Sequence, residues 1–144
     1  MTEQLPPQSF EPLTPQEERQ WAMFAHLGIL TNLFSGVLGP LVPLAIYFIY
    51  KDRSRYVAYQ SLQALVFQLI WWVGGSALVG IIWAITGALS AVAIGLLCMP
   101  FACILSLIPV AALIYGVYAG IKCNQGEDFK YWLIGDWFRS TLIG

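Results

Sequence analysis

The stretch Tyr56–Ile121 reads YVAYQSLQALVFQLIWWVGGSALVGIIWAITGALSAVAIGLLCMPFACILSLIPVAALIYGVYAGI, 66 residues without an Asp, Glu, Lys, Arg or His. A soluble domain keeps polar positions even on its buried helices. A membrane-crossing helix needs about 20 apolar residues for a hydrocarbon core of roughly 30 Å. The run is therefore read as two long helices in a membrane, with Thr86-Gly87-Ala88-Leu89-Ser90 as an uncharged turn between them. A third helix is expected over 57–87 and a fourth over 91–122, with Pro100 and Pro109 tolerated where neighbours satisfy the freed carbonyls.

Composition agrees. Of 144 residues, 58% are hydrophobic and 10% charged, against about 25% charged in soluble proteins. Leu65–Val73 and Ile104–Ala112 do not alternate, so the class is all-α and not a β-barrel. The net charge of −1 comes without a basic cluster of the size nucleic acid requires. Cys98, Cys103 and Cys123 have no zinc-motif spacing and are read as structural thiols; no metal and no cofactor is expected.

Working outward toward the N-terminus, Lys51-Asp52-Arg53-Ser54-Arg55 is the only charged loop between apolar segments. Before it, Gln20–Tyr50 is broken by Gly36, Gly39, Pro40 and Pro43. This gives a first helix ending near Ser35 and a second ending near Lys51, each with about 15 apolar residues, or roughly 22 Å. That is short for a full span, so local thinning or a re-entrant hairpin is expected. Thr14-Pro15-Gln16-Glu17 carries a capping box with Pro at the first helical position. Residues 1–13 read as a disordered arm with no cleaved signal peptide.

Toward the C-terminus, Gly126 can end the last helix. Residues 124–144 then mix Trp132, Trp137 and Phe138 with Lys130, Asp136 and Arg139, as an interfacial tail does. The domain plan is an arm over 1–13, a four-helix domain over 14–123 and the tail. With four helices, Arg19, Lys51, Arg53, Arg55, Lys122, Lys130 and Arg139 all fall on one side. The positive-inside rule then puts both termini in the cytoplasm. Trp21, Lys51, Arg53, Arg55, Trp132 and Trp137 are the expected interface anchors.

No H-E-x-x-H, G-x-S-x-G or P-loop occurs, and a non-enzyme is expected. His26 is read as a hydrogen-bonded structural histidine. Gln60, Gln63 and Gln68 enter the third helix from the charged loop, either tying helices together or lining a polar cavity. Ala77, Gly80, Ala84 and Ala88, and likewise Ala112, Gly116 and Gly120, form small-residue stripes for close helix packing, by default within the chain.

Several pieces resemble the Tic-twenty-like family, which includes a chloroplast inner-envelope translocon component and small bacterial membrane proteins. They are Lys51-Asp52-Arg53-Ser54-Arg55-Tyr56-Val57, Gln63-Ala64-Leu65 with Phe67-Gln68, Trp21-Ala22 with His26-Leu27, Gly39-Pro40-Leu41 with Pro43, and Gly126-Glu127 with Phe129-Lys130-Tyr131-Trp132. That resemblance implies four helices with both ends on one side of a bacterial inner membrane, and protein transport in the plastid branch. The functional expectation is an accessory subunit whose partners are the lipid bilayer and another membrane protein or a second copy of itself. The alternative is a transport element built on the short helices and the Gln60/Gln63 face.

Overall fold

The computed structural model describes residues 11–142, and the secondary structure among them is helical. The helices are α1 (Pro15–Leu27), continued by a 3-10 turn (Gly28–Thr31) into α2 (Asn32–Ser35), then α3 (Leu41–Tyr50), α4 (Arg55–Phe67), a π-helical segment (Gln68–Gly74), α5 (Gly75–Ser90), α6 (Ile94–Leu105), α7 (Leu107–Asn124) and α8 (Gly135–Leu142). The ends follow local chemistry. Thr14 and Glu17 close the capping box of α1, and Ser54 accepts from the Val57 N–H to start α4. Gly36 stops α2 at φ +80°, and Gly126 follows α7 at φ +85°; both φ values suit glycine, which has no Cβ to clash there.

Two continuous helices are long and apolar enough to cross a membrane, Arg55–Ser90 with 36 residues and Ile94–Asn124 with 31. At 1.5 Å per residue the first is about 54 Å long, well beyond a hydrocarbon core of roughly 30 Å. The excess divides the molecule into two tiers. In one, α1, α3, α4 and α7 pack together, with Val57, Ala25, Ile46, Tyr50 and Ala64 in one core cluster and Ile29, Phe67, Ala112 and Ala119 in another. In the other, α5 pairs mainly with α6, with α7 touching only their ends, and the two turn Ile81, Ile85, Leu97, Phe101 and Ile104 outward. An outward face of that composition requires lipid or a protein partner.

Several boundaries differ from the sequence reading. The third helix runs on to Ser90 and turns at Ala91–Ala93, because Thr86–Ser90 holds no proline and Gly87 alone does not stop a helix; the Ser90 hydroxyl bonds back to the Thr86 carbonyl at 2.8 Å. Gly95 makes that turn possible, since a Cβ there would strike the Thr86 carbonyl and the Ser90 backbone. The fourth helix loosens for one residue at Ser106 without losing its direction, and Ser106 donates to Ala102 O at 2.8 Å and accepts from Trp83 Nε1 at 2.9 Å. Pro109 lies just beyond, in the first turn of α7, where its missing N–H costs least. Residues 1–10 of the expected arm lie outside the described residues, but its last residue, Leu13, is packed in the first core cluster.

The small-residue stripes part company. Gly116 and Gly120 are buried, and a Cβ would meet Ile29 at 3.1 Å and the Met23 carbonyl at 3.2 Å, so the α7 stripe is where α1 approaches closely. The α5 stripe does not pack within the chain. Ala77, Gly80, Ala84 and Ala88 are exposed, and nothing lies within 4 Å of a Cβ at Gly80. The first two helices are too short to reach it.

Candidate functional site

The buried polar residues collect in the four-helix tier, where α1, α4 and the chain after α7 meet. His26, Gln60, Gln63 and Gln68 are each about fully buried, together with Ser61. Gln60 and Gln63 share a face of α4 by the three-residue spacing. The chain after Gly126 crosses that face and brings in Phe129 and Tyr131, 66 and 68 positions from Gln63.

Gln63 acts as a backbone substitute. Its Nε2 donates to the Phe129 carbonyl at 3.2 Å, and its Oε1 accepts the Tyr131 N–H at 3.1 Å. Gln60 Nε2 donates to the same Phe129 carbonyl at 3.1 Å and sits 3.4 Å from Asp128 Oδ1. With its amide nitrogen so engaged, Gln60 presents Oε1 to His26 Nε2 at 3.1 Å, and His26 Nδ1 lies 3.0 Å from the Tyr131 hydroxyl. The chain of bonds assigns the tautomer: Nε2–H donates to Gln60, and Nδ1 accepts from the Tyr131 O–H. Burial pushes the Tyr131 hydroxyl well above the usual tyrosine range, so it keeps the proton it donates.

Aromatic rings close the cluster. Phe67 and Tyr131 stack at 4.1 Å between centroids, and Phe129 meets His26 edge-on at 6.0 Å. Beyond them, Tyr59 donates to the Gly135 carbonyl at 3.3 Å, which docks the start of α8 on α4. Ion pairs hold the tail's own shape: Arg139 with Asp128 at 2.7 Å and Lys130 with Asp136 at 2.6 Å. The Lys130 ammonium beside Asp136 holds that carboxyl below the usual range. Gln68 stands apart, with a long contact to Ala25 O at 3.5 Å and Oε1 unpaired. Among the described residues no three His, Cys, Asp or Glu side chains converge as metal ligands. The arrangement is a latch that fixes the C-terminal segment to the helices.

A second polar group sits at the tip of the α1–α3 hairpin. Asn32 Oδ1 accepts the Gly39 N–H at 2.7 Å, Ser35 Oγ accepts the Leu38 N–H at 3.2 Å, and Trp72 Nε1 donates to Gly36 O at 2.6 Å. Trp72 belongs to the π segment, about halfway along the Arg55–Ser90 helix. The hairpin therefore reaches only to the middle of that helix. Its tip is apolar and open: Phe34 is 94% exposed, with Val37 and Leu38 beside it.

The anchors predicted from sequence lie at the opposite end. Trp21 packs on Tyr50 at a tilt, with ring centroids 4.6 Å apart, Arg53 Nε donates to Glu11 O at 2.9 Å, and Lys51 and Arg55 flank the α3–α4 turn. Trp132 and Trp137 are exposed on the tail. Sequence reasoning singled out His26 and the glutamines but not Tyr131, Asn32 or Trp72 as their counterparts. A lone buried histidine in an apolar helix must have a partner, and the tail held the nearest polar ring.

The sequence matches the MamF/MmsF magnetosome magnetite crystal formation protein family over residues 17–138. The chain belongs to that family. The MamF/MmsF match takes in nearly all of α1 through the first half of α8, hence the latch, the hairpin and both long helices. It overturns the resemblance to the Tic-twenty-like family, and the protein-transport alternative loses its support with it. The pieces behind that resemblance are helix starts, Gly-Pro turns and aromatic–basic edges, which membrane proteins of many families need for the same physical reasons. No curated protein and no solved structure matches the chain.

Proposed function

We propose that this MamF/MmsF-family chain is a non-enzymatic membrane protein that serves magnetite crystal formation as an accessory or assembly subunit, binding another membrane protein through the outward face of α5. The observation that carries the reading is the α5 stripe. Ala77, Gly80, Ala84 and Ala88 lie exposed on a helix long and apolar enough to cross a membrane. Small residues facing outward let a second helix approach to backbone contact, the main source of helix association in lipid. The equivalent stripe on α7 is already used by α1, so α5 keeps the open one.

In this reading the chain is integral to a bacterial inner membrane or the magnetosome membrane. Both termini lie on the cytoplasmic face, where the basic residues gather. The α1–α3 hairpin enters the same face and turns back within the lipid, and Arg55–Ser90 and Ile94–Asn124 cross. The latch keeps the tail at the surface, with Trp132 and Trp137 at headgroup level.

The test is complementation in a magnetite-forming bacterium lacking the chain. Wild type should restore crystals of normal number and size in electron micrographs. Gly80→Leu/Ala84→Leu should reach the membrane at normal level and fail to restore them. Full restoration by that variant would overturn the reading. A second copy as the partner would be distinguished by cross-linking between two differently tagged chains.

A further inference from the structure

The seven cations divide by what holds them. Lys122 pairs with Glu127 at 2.8 Å, while Lys130 and Arg139 pair with Asp136 and Asp128. Arg19 lies under Gly126, and Arg53 donates to Glu11 O and covers the Tyr50 ring at 5.6 Å. Lys51 and Arg55 have neither a carboxylate nor a hydrogen-bond acceptor among the described residues. They line one cavity of about 200 Å³ with Tyr47, Asp52 and Ala58, between the end of α3 and the start of α4.

Two features place that cavity at the edge of the lipid. Arg55 is the first residue of the helix that continues as a membrane-length span. Lys51 Nζ lies 5.7 Å from the centroid of the Phe48 ring, and Phe48 is 61% exposed. The ammonium is thus held back along an apolar face that also exposes Ala45 and Leu41, one and two turns further down α3. A long cationic side chain whose head lies above an apolar face marks the headgroup level.

We propose that this cavity binds the headgroup of a membrane phospholipid, with its phosphodiester between Lys51 and Arg55 and an acyl chain along Phe48, Ala45 and Leu41. Arg55 supplies a forked pair of N–H donors and Lys51 a point charge. The Tyr47 ring forms the wall on the α3 side. Asp52 leaves the cavity one net positive charge, which suits a phosphodiester better than a phosphate dianion. Its carboxylate also accepts from a headgroup N–H or O–H. Phosphatidylglycerol and phosphatidylethanolamine carry such donors, and phosphatidylcholine does not.

The full chain is purified in mild detergent and titrated with each lipid under native mass spectrometry, with inorganic phosphate as a separate arm. One phosphatidylglycerol or phosphatidylethanolamine should be retained per chain, several-fold over phosphatidylcholine. Lys51→Gln/Arg55→Gln should cut retention by about tenfold or more, at roughly fivefold for each basic residue at a membrane surface. Lys122→Gln, which alters a paired cation, should leave retention unchanged. Asp52→Asn should tighten binding of phosphatidic acid, a test that does not depend on the double variant folding. The proposal is overturned if the double variant retains lipid like wild type, if phosphatidylcholine binds equally, if Asp52→Asn has no effect, or if inorganic phosphate displaces the lipid at equal concentration.

Discussion

The Tyr131 N–H donates to Gln63 Oε1 at 3.1 Å, across 68 positions of sequence. One amide side chain thereby takes the place that a neighbouring strand's backbone would have, because Gln63 Nε2 also serves the Phe129 carbonyl. Gln63→Leu keeps much of the volume and removes both bonds. It leaves buried donors and acceptors unpaired, at a cost of about 1–3 kcal/mol each. The C-terminal segment should detach while the helices persist. Limited trypsin cleavage at Lys130 and Arg139 should then speed up by about tenfold or more at unchanged helical circular dichroism. Equal cleavage rates would remove the latch from the account.

His26 and Tyr131 form the second half of that latch. Tyr131→Phe leaves His26 Nδ1 without its donor, and His26→Phe strands the Tyr131 hydroxyl and leaves Gln60 Oε1 only the longer 3.4 Å contact from Gln63 Nε2. Each single change should lower the thermal midpoint in detergent. The double variant should lose less than the sum, with a coupling of about 0.5–3 kcal/mol. Strict additivity would mean that the 3.0 Å contact carries no energy.

Much of this fold is legible in the sequence because membranes enforce simple rules. Sixty-six uncharged residues, Thr14-Pro15-Gln16-Glu17, the Gly36–Pro40 break and Gly126 each act locally, and each marks a helix or its end. His26, Gln60 and Gln63 stood out for the same reason, since an amide or imidazole in an apolar run needs a partner. Their shared partner was not legible: the tail's path depends on tertiary packing, and its aromatic–basic composition also describes a segment lying on a membrane. The π segment was equally hidden. It shifts the face on which Gln68 and Trp72 appear, and periodicity counted at 3.6 residues per turn misses that shift. The α5 stripe left its partner open, because small residues at helical spacing record close approach without recording whose helix approaches.

The two stripes should separate cleanly under substitution. A leucine at Gly116 must displace Ile29, whose atoms already stand 3.1 Å from the added Cβ. Overpacking of that kind costs about 1–3 kcal/mol, so Gly116→Leu should lower the thermal midpoint and the yield of folded protein. A Cβ at Gly80 meets nothing within 4 Å, and Gly80→Leu should leave both unchanged in detergent. A Gly80→Leu chain that unfolds would mean that α5 packs internally after all.

The hairpin makes the sharpest prediction about topology. Ten residues of α3 span about 15 Å, too few for a hydrocarbon core of roughly 30 Å, and the tip stops beside Trp72, about halfway along Arg55–Ser90. Backbone outside a helix is tolerated at that depth only where its polar groups are satisfied by protein. Asn32, Ser35 and Trp72 supply such partners to Gly39, Leu38 and Gly36. A tip in water would need none of them and would expose Phe34 at a cost. Single cysteines at Val37 and Val92, in a background with Cys98, Cys103 and Cys123 replaced by Ser, separate the cases in intact cells and inverted vesicles. Val92→Cys, in the α5–α6 turn, should react with a membrane-impermeant maleimide only from the face opposite the termini. Val37→Cys should react from neither face until detergent is added. Labelling of Val37→Cys from the same face as Val92→Cys would make the hairpin a full crossing and give the chain four spans.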